Sequence, residues 1–432
     1  MRYVLVVLLL IIGATPAAAR DLSLGEALTL AQQHSLALKK ASAETQAARQ
    51  SLQSALAERH PTLSLTALAL YVDDIATLDI DLSPGPSFSR QIGTRESYQT
   101  DIRVGVPLYT GGRISAGIGG ARSARDYYVA LELAGLDRVR YQVRKEYLTL
   151  LAAHRLVETA LASLQRTRII STDITAMYKA GAADSVDLLQ ARLAVTQAQF
   201  GHERALIERR SAEIRLLVLL GLDPGEPLNL TTWPGPPVLP EEPQPVPATR
   251  PELLAADAGI RLSESRVDLA ASEYLPNLSA FAGYSYGRPN LDRFNNTWND
   301  YFTFGGQLSW SLNLFKNRSR RSAAFHGVQA ARRERTRLGE QLDVQARLAY
   351  EQLKLSHIRY LSARDEYEIT SESYRLACEK HKEGLLSSNR LLEIETTLTA
   401  AQSNLAAALA NFYIAAAEYY YAIGSDELER GM

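Results

Sequence analysis

Cysteine is all but missing from these 432 residues. Cys378 stands alone, so no internal disulfide can form and burial must hold the fold. Long hydrophobic runs are missing too. Beyond the first twenty residues no stretch reaches the 18 or more apolar residues of a membrane-spanning helix. Neither sign of charge is in excess: 47 Lys and Arg against 48 Asp and Glu leave −1, which removes the bulk attraction that a nucleic-acid partner requires. The seven histidines are scattered from His34 to His381 without HExxH or Cys/His spacing, so no metal site is expected. The Gly-rich "TGGRISAGIGGARSA" lacks the Lys-Ser/Thr ending and the spacing of a phosphate loop, and reads as a strand-to-helix junction. Cys378 has no activating neighbours. No catalytic residue and no cofactor is expected, and the chain reads as a non-enzyme.

What is present begins with an address. "MRYVLVVLLLIIGATPAAAR" has a short basic start, an apolar run too short to span a bilayer, and the small-residue pattern Ala17-x-Ala19. Residues 1–19 therefore read as a signal peptide and the mature chain as exported. Export without a transmembrane helix leaves three places: periplasm, exterior, or outer membrane in β form.

The most informative feature is a phrase that occurs twice. "KAGAADSVDLLQA" (Lys179–Ala191) returns as "KEGLLSSNRLLEI" (Lys382–Ile394), and Gly181 and Gly384 stand 203 residues apart. The same offset carries Gln142, Arg144, Tyr147 and His154 onto Gln345, Arg347, Tyr350 and His357, and Gly221 onto Gly424. So long a register marks an internal repeat. Ten of the 17 prolines lie between Leu222 and Pro251, which separates the halves by a linker.

Each half reads in the same order. In the first repeat, 20–221, a helix rich in Ala, Leu, Gln, Lys and Glu is stopped by Pro61. Strands follow at about 61–72 and 98–109, with a loop at 73–94 between them; a long helix at 113–180 and a helix at 184–220 complete it. After the linker, 222–250, the second repeat, 251–424, has a helix stopped by Pro276, strands at about 276–287 and 301–315, a long helix at 317–381 and a helix at 387–423. Residues 425–432 are a tail. Leu136, Val139, Val143, Tyr147 and Leu150 recur at three and four residues, the pattern of a packed helical seam. His154 and His357, equivalent in the repeat, read as packing residues of such seams.

The strands alternate with period two. Ile102, Val104, Val106 and Leu108 share one face, and Phe304, Leu308, Trp310 and Leu312 another such face, with polar residues opposite. Eleven or so residues suit a tilted membrane strand, and apolar-out, polar-in alternation suits a barrel wall. Four strands cannot close, since the smallest membrane barrels have about eight, and open edges are forbidden in hydrocarbon. The chain is therefore expected to oligomerise. A soluble β-sandwich over a helical stalk is the competing architecture.

The doubled order, the junctions "VPLYTGG" and "LNLFKNR", the paired glycine turns, the Pro61 and Pro276 breaks and the Pro-rich middle together resemble the TolC-like outer-membrane efflux proteins. The resemblance covers nearly the whole mature chain. It implies an α+β membrane protein of two structural repeats, whose four transmembrane strands complete a 12-stranded barrel in a homotrimer, continuous with a long α-helical coiled-coil barrel. It implies the outer membrane of a Gram-negative bacterium with a large periplasmic portion, contact with outer-membrane lipids, and docking to a periplasmic adaptor (membrane fusion) protein and an inner-membrane pump. The expected function is the passive exit duct of a tripartite efflux system. A duct for type I protein secretion is the alternative, and a periplasmic coiled-coil adaptor the alternative of another class. By the same resemblance the glycine turns are helical-hairpin tips at the tunnel mouth. Gly181, Ala182, Gly384, Leu385 and Ser388 are then expected adaptor contacts, and Asp187, Arg390 and Glu393 a tunnel constriction. Arg390 at the position equivalent to Asp187 departs from the better-known family pattern, as does Leu386 where an arginine is expected.

Overall fold

The computed structural model describes residues 20–81, 83–91, 93–230, 239–291 and 296–425. The expected signal peptide, residues 231–238 of the linker and all of the tail but Ser425 lie outside them. The chain folds as two compact units. Among the described residues, one comprises 20–42, 131–230, 239–251 and 338–425, and the other 43–81, 83–91, 93–130, 252–291 and 296–337.

In chain order the elements are β1 (Arg20–Leu22), α1 (Leu24–His34), α2 (Leu36–Ala57), β2 (Thr62–Tyr71), β3 (Thr77–Ile80), β4 (Phe88–Gln91), β5 (Glu96–Tyr109) and α3 (Arg113–Lys179). They continue with α4 (Ser185–Leu220), β6 (Leu228–Leu230), α5 (Pro251–Ser272), β7 (Asn277–Arg288), β8 (Asn299–Ser309), α6 (Leu314–Lys382) and α7 (Ser388–Ile423). The helix expected before Pro61 is broken at Ser35, which leaves the helical region with ψ 118°. The loop expected at 73–94 carries the hairpin β3–β4, and the linker carries β6, which pairs in parallel with β1 across Arg20–Leu22. β6 falls on Leu-Asn-Leu, a piece of the linker without proline.

The first unit is mainly helical, and its two hairpin turns repeat the same backbone bonds. Gly181 N donates to Tyr178 O (3.1 Å) and Ala182 N to Met177 O (2.8 Å). Gly384 N donates to His381 O (3.0 Å) and Leu385 N to Lys380 O (2.9 Å), at the same offset. The glycines have φ of 76° and 74°, the left-handed region that closes a helix, and the final caps Gly221 and Gly424 repeat the device at 70° and 66°. Val139, Val143, Tyr147 and Leu150 of α3 are buried against Leu216, Leu217 and Leu220 of α4 in one core. Ala346, Tyr350 and Leu353 of α6 pack with Ala416, Tyr419 and Tyr420 of α7 in another. Tyr147 donates its hydroxyl to Leu22 O (3.2 Å), and the equivalent Tyr350 to Glu241 O (2.8 Å), so each repeat pins its incoming chain with the same tyrosine.

The second unit holds an antiparallel sheet in the order β2-β5-β7-β8. Its helical part packs Leu52 of α2 on Ile114 and Ile118 of α3, with Arg335 of α6 on Asp257 of α5 (3.0 Å).

Candidate functional site: hairpin tips and strand sheet

At the first tip, Asp184 caps α4 by accepting from Ser185 N, and a side chain at Gly181 would meet nothing within 4 Å. The second tip is equally open at Gly384, and Leu385 beside it is exposed. Positive φ, not crowding, is what requires glycine at both. Ser388 is buried, contrary to its expected role as a contact. Ser387 occupies the N-cap, so Ser388 opens α7 three and four residues before Leu391 and Leu392, on the face that they bury. His381 is buried at the end of α6. Its Nδ1–H donates to Leu386 O (2.8 Å), fixing the tautomer and using the position where the resemblance led one to expect an arginine.

The charged residues of the expected constriction do not meet within the chain as a set. Asp187 Oδ1 accepts from Asn389 Nδ2 (2.7 Å), which ties α4 to α7. Arg390 Nη1 donates to Glu393 Oε2 (2.6 Å) one turn along α7, with both side chains more than half exposed. Asp187 and Arg390 thus have separate partners.

Above the tips lies a polar cluster that the sequence reading missed. Glu395 of α7 is buried, and its carboxylate accepts from Ser163 Oγ (2.9 Å), Thr399 Oγ1 (2.8 Å) and Arg166 Nε (3.2 Å). Arg166 also donates to Thr399 Oγ1 (3.0 Å) and Gln402 Oε1 (3.3 Å). A signal was there to be read: Leu391, Leu392, Glu395 and Leu398 fall at helical spacing, so the acid stands on an apolar face. At that depth a carboxylate is tolerated only when paired and fully bonded.

His154, in α3, is half-buried. Burial first, then the nearby Arg209, hold its pKa below the usual histidine value. His357 packs on Phe412 at 4.9 Å between ring centres. Among the described residues no group of His, Cys, Asp and Glu is arranged to hold a metal ion.

The sheet carries the second candidate surface. Its register lines apolar residues in rows that cross all four strands: Leu63, Val104, Ala282 and Phe304 in one, and Leu65, Ile102, Tyr284 and Phe302 in the next. Opposed residues share a face, so these rows form one wall, and Phe304 on it is 88% exposed. Two of the intervening rows are polar or small: Ser64, Arg103, Gly283 and Thr303, then Thr66, Asp101, Ser285 and Tyr301; a third, Thr62, Gly105, Phe281 and Gly305, carries one phenylalanine, under the guanidinium of Arg103. Val106 continues the apolar wall opposite Ala280 and Gly306.

Three expected wall residues need correction. A bulge between Pro107 and Tyr109 sets Tyr109 opposite Leu278, so Leu108, although exposed, falls out of register. Trp310 and Leu312 lie beyond β8, which ends at Ser309 opposite Asn277. There β7 itself begins, after Pro276, and the ladder has no further partner. Trp310 instead donates its indole N–H to Tyr274 O (3.2 Å).

Gly283-Tyr284-Ser285-Tyr286-Gly287 has the spacing of a hydrolase nucleophile turn, but it lies wholly inside β7. Ser285 there is buried beside Gln99 and Asn290, without the strand-to-helix elbow that exposes such a serine.

No helix among the described residues is long and apolar enough to cross a membrane. The exposed apolar wall belongs to the sheet.

The model of the family described as "Outer membrane efflux protein" matches residues 27–222 and 243–425. Protein CyaE of Bordetella pertussis is 26% identical over 342 residues, 76% of this chain and 67% of that protein. The fold is similar to that of CusC (TM-score 0.79, 15% identity, 96% of each chain). It is also similar to the Campylobacter jejuni CmeC outer membrane channel (TM-score 0.77, 15% identity, 93% of this chain and 85% of that one). The chain belongs to the outer membrane efflux protein family, and its fold is the TolC-like fold of the outer-membrane channels above.

Proposed function

We propose that this chain is the exit duct of a tripartite efflux pump, and that three copies close into the conducting unit. The observation that carries the proposal is the sheet: an apolar wall four strands wide, bounded by β2 and β8, each paired on one side only. In hydrocarbon each unpaired backbone group costs several kcal/mol. Joining β8 of one copy to β2 of the next removes every edge, and three copies make twelve strands. The apolar rows then face lipid, and the rows with Arg103, Asp101 and Thr303 face a water-filled lumen.

The tips are the proposed docking surface for a periplasmic adaptor, which links the duct to an inner-membrane pump. Gly181, Ala182, Gly384 and Leu385 are open to a partner there. Asp187, Arg390 and Glu393 form the proposed constriction. Small molecules are the proposed cargo, in keeping with the family's description as efflux proteins.

The test is a strain lacking the chain. Its cells should accumulate a fluorescent efflux substrate several-fold more than the parent, and the wild-type chain should reverse the effect. Unchanged accumulation, together with loss of a protein from the culture medium, would instead assign the duct to protein secretion.

A further inference from the structure

We infer that Arg192 of one copy meets Glu366 of the next, in an interface where Val218 faces Val344. The inference rests on the trimer proposed above and adds its specific contacts. It follows from comparing what α7 touches within the chain with what α4, its equivalent, leaves bare.

Within the first unit α7 lies against α3 and α4. Tyr421 stacks on Tyr141 of α3 with ring centres 5.0 Å apart and planes at 13°. Glu395 reaches Ser163 and Arg166 of α3. The two repeats share backbone bonds at one offset: α4 and α7 both have 36 residues, and the backbone turns before and the caps after them bond identically. A ring built from such repeats presents each junction twice, once inside a chain and once between chains. The second junction sets α4 of one copy on α6 of the next.

Shifting the intrachain contacts by 203 residues names the second junction. Tyr141 becomes Val344 and Tyr421 becomes Val218, and both valines are exposed in the single chain. Leu392, 8% exposed against α3, becomes Leu189, 63% exposed on α4. Ser163 becomes Glu366 and Glu395 becomes Arg192, so at the second junction the acid stands on α6 and the cation on α4. Arg166 becomes Ile369, exposed and placed to receive the aliphatic stem of Arg192. Among the described residues neither the Arg192 nor the Glu366 side chain has a hydrogen bond or ion pair, although both lie in long helices dense with such pairs. Exposed apolar residues flanking two unspent opposite charges fit a second copy of this chain: complementary charge fixes the register and like-charged alternatives are rejected.

The experiment uses full-length protein extracted from the outer membrane in a Cys378→Ser background. Val218→Cys and Val344→Cys together should give covalent dimers and trimers with a short bifunctional maleimide, whereas either cysteine alone should give none. In parallel, Arg192→Glu and Glu366→Arg should each lower the temperature at which the trimer dissociates, and the double reversal should restore it. A trimer that forms normally but does not cross-link, or a double reversal whose losses add, overturns the inference and leaves the proposed duct standing. A wild-type chain that forms no trimer overturns both. If the cysteine pair itself blocks assembly, the charge reversals decide alone.

Discussion

Glu395 shows what a single residue contributes here. Its carboxylate is bonded by Ser163 and Thr399 and paired with Arg166, and it links α7 to α3 across more than 200 residues of chain. Removing one member of a buried pair strands the other charge and costs about 3–5 kcal/mol. Arg166→Ala should therefore lower the helical melting temperature, and adding Glu395→Leu should recover part of the loss; circular dichroism reads both. The acid was legible as a polar residue on an apolar helical face, but its partners were not, because nothing local connects 166 to 395. His154 gives a pH-dependent prediction. Its pKa is lowered in the fold, so below about pH 6.5 the unfolded chain binds more protons than the folded one. Stability then rises with pH through that window. The wild type should lose thermal stability as the pH falls through about 6.5, and His154→Gln should lose less. Arg390 is held more lightly: an exposed pair such as its bridge to Glu393 contributes about 0.2–1 kcal/mol. Arg390→Ala should raise single-channel conductance at low salt, with the difference shrinking at high salt through screening. Equal conductance at low salt would leave the residue as part of a solvated rim.

At the scale of elements, strand alternation was legible because period two is a local property of sequence. Where strands stop was not. β8 ends where β7 runs out of partner residues, and the Leu108 bulge comes from a register shift against β7. Both are decided by a neighbour, not by the strand's own residues. The break at Ser35 was hidden for a similar reason. Gly221 approaches there so closely that a side chain on it would stand 2.8 Å from His34 Cβ. The register does name the residues for a membrane test. Val104 and Phe304 share a row of the apolar wall, and each arginine placed near a bilayer midplane costs about 2–4 kcal/mol. Val104→Arg with Phe304→Arg should sharply reduce the amount recovered in outer-membrane fractions. Arginines in the polar row, at Ser64 and Thr303, should be tolerated.

For the whole molecule, the doubled phrase at Gly181 and Gly384 makes the plan readable in the sequence, because repeats that bury the same faces keep the same residues at the same spacing. The structure turns that likeness of letters into a likeness of bonds, from the tip turns to the tyrosines at 147 and 350. One chain supplies two repeats and four strands, a wall with two edges. Other copies of the same chain are proposed to cover those edges. The native mass of the protein extracted from outer membranes in mild detergent decides this. A particle of three chains that heating converts to single chains is expected. A single chain in the extract, or recovery of the protein only in the soluble periplasmic fraction, would contradict it.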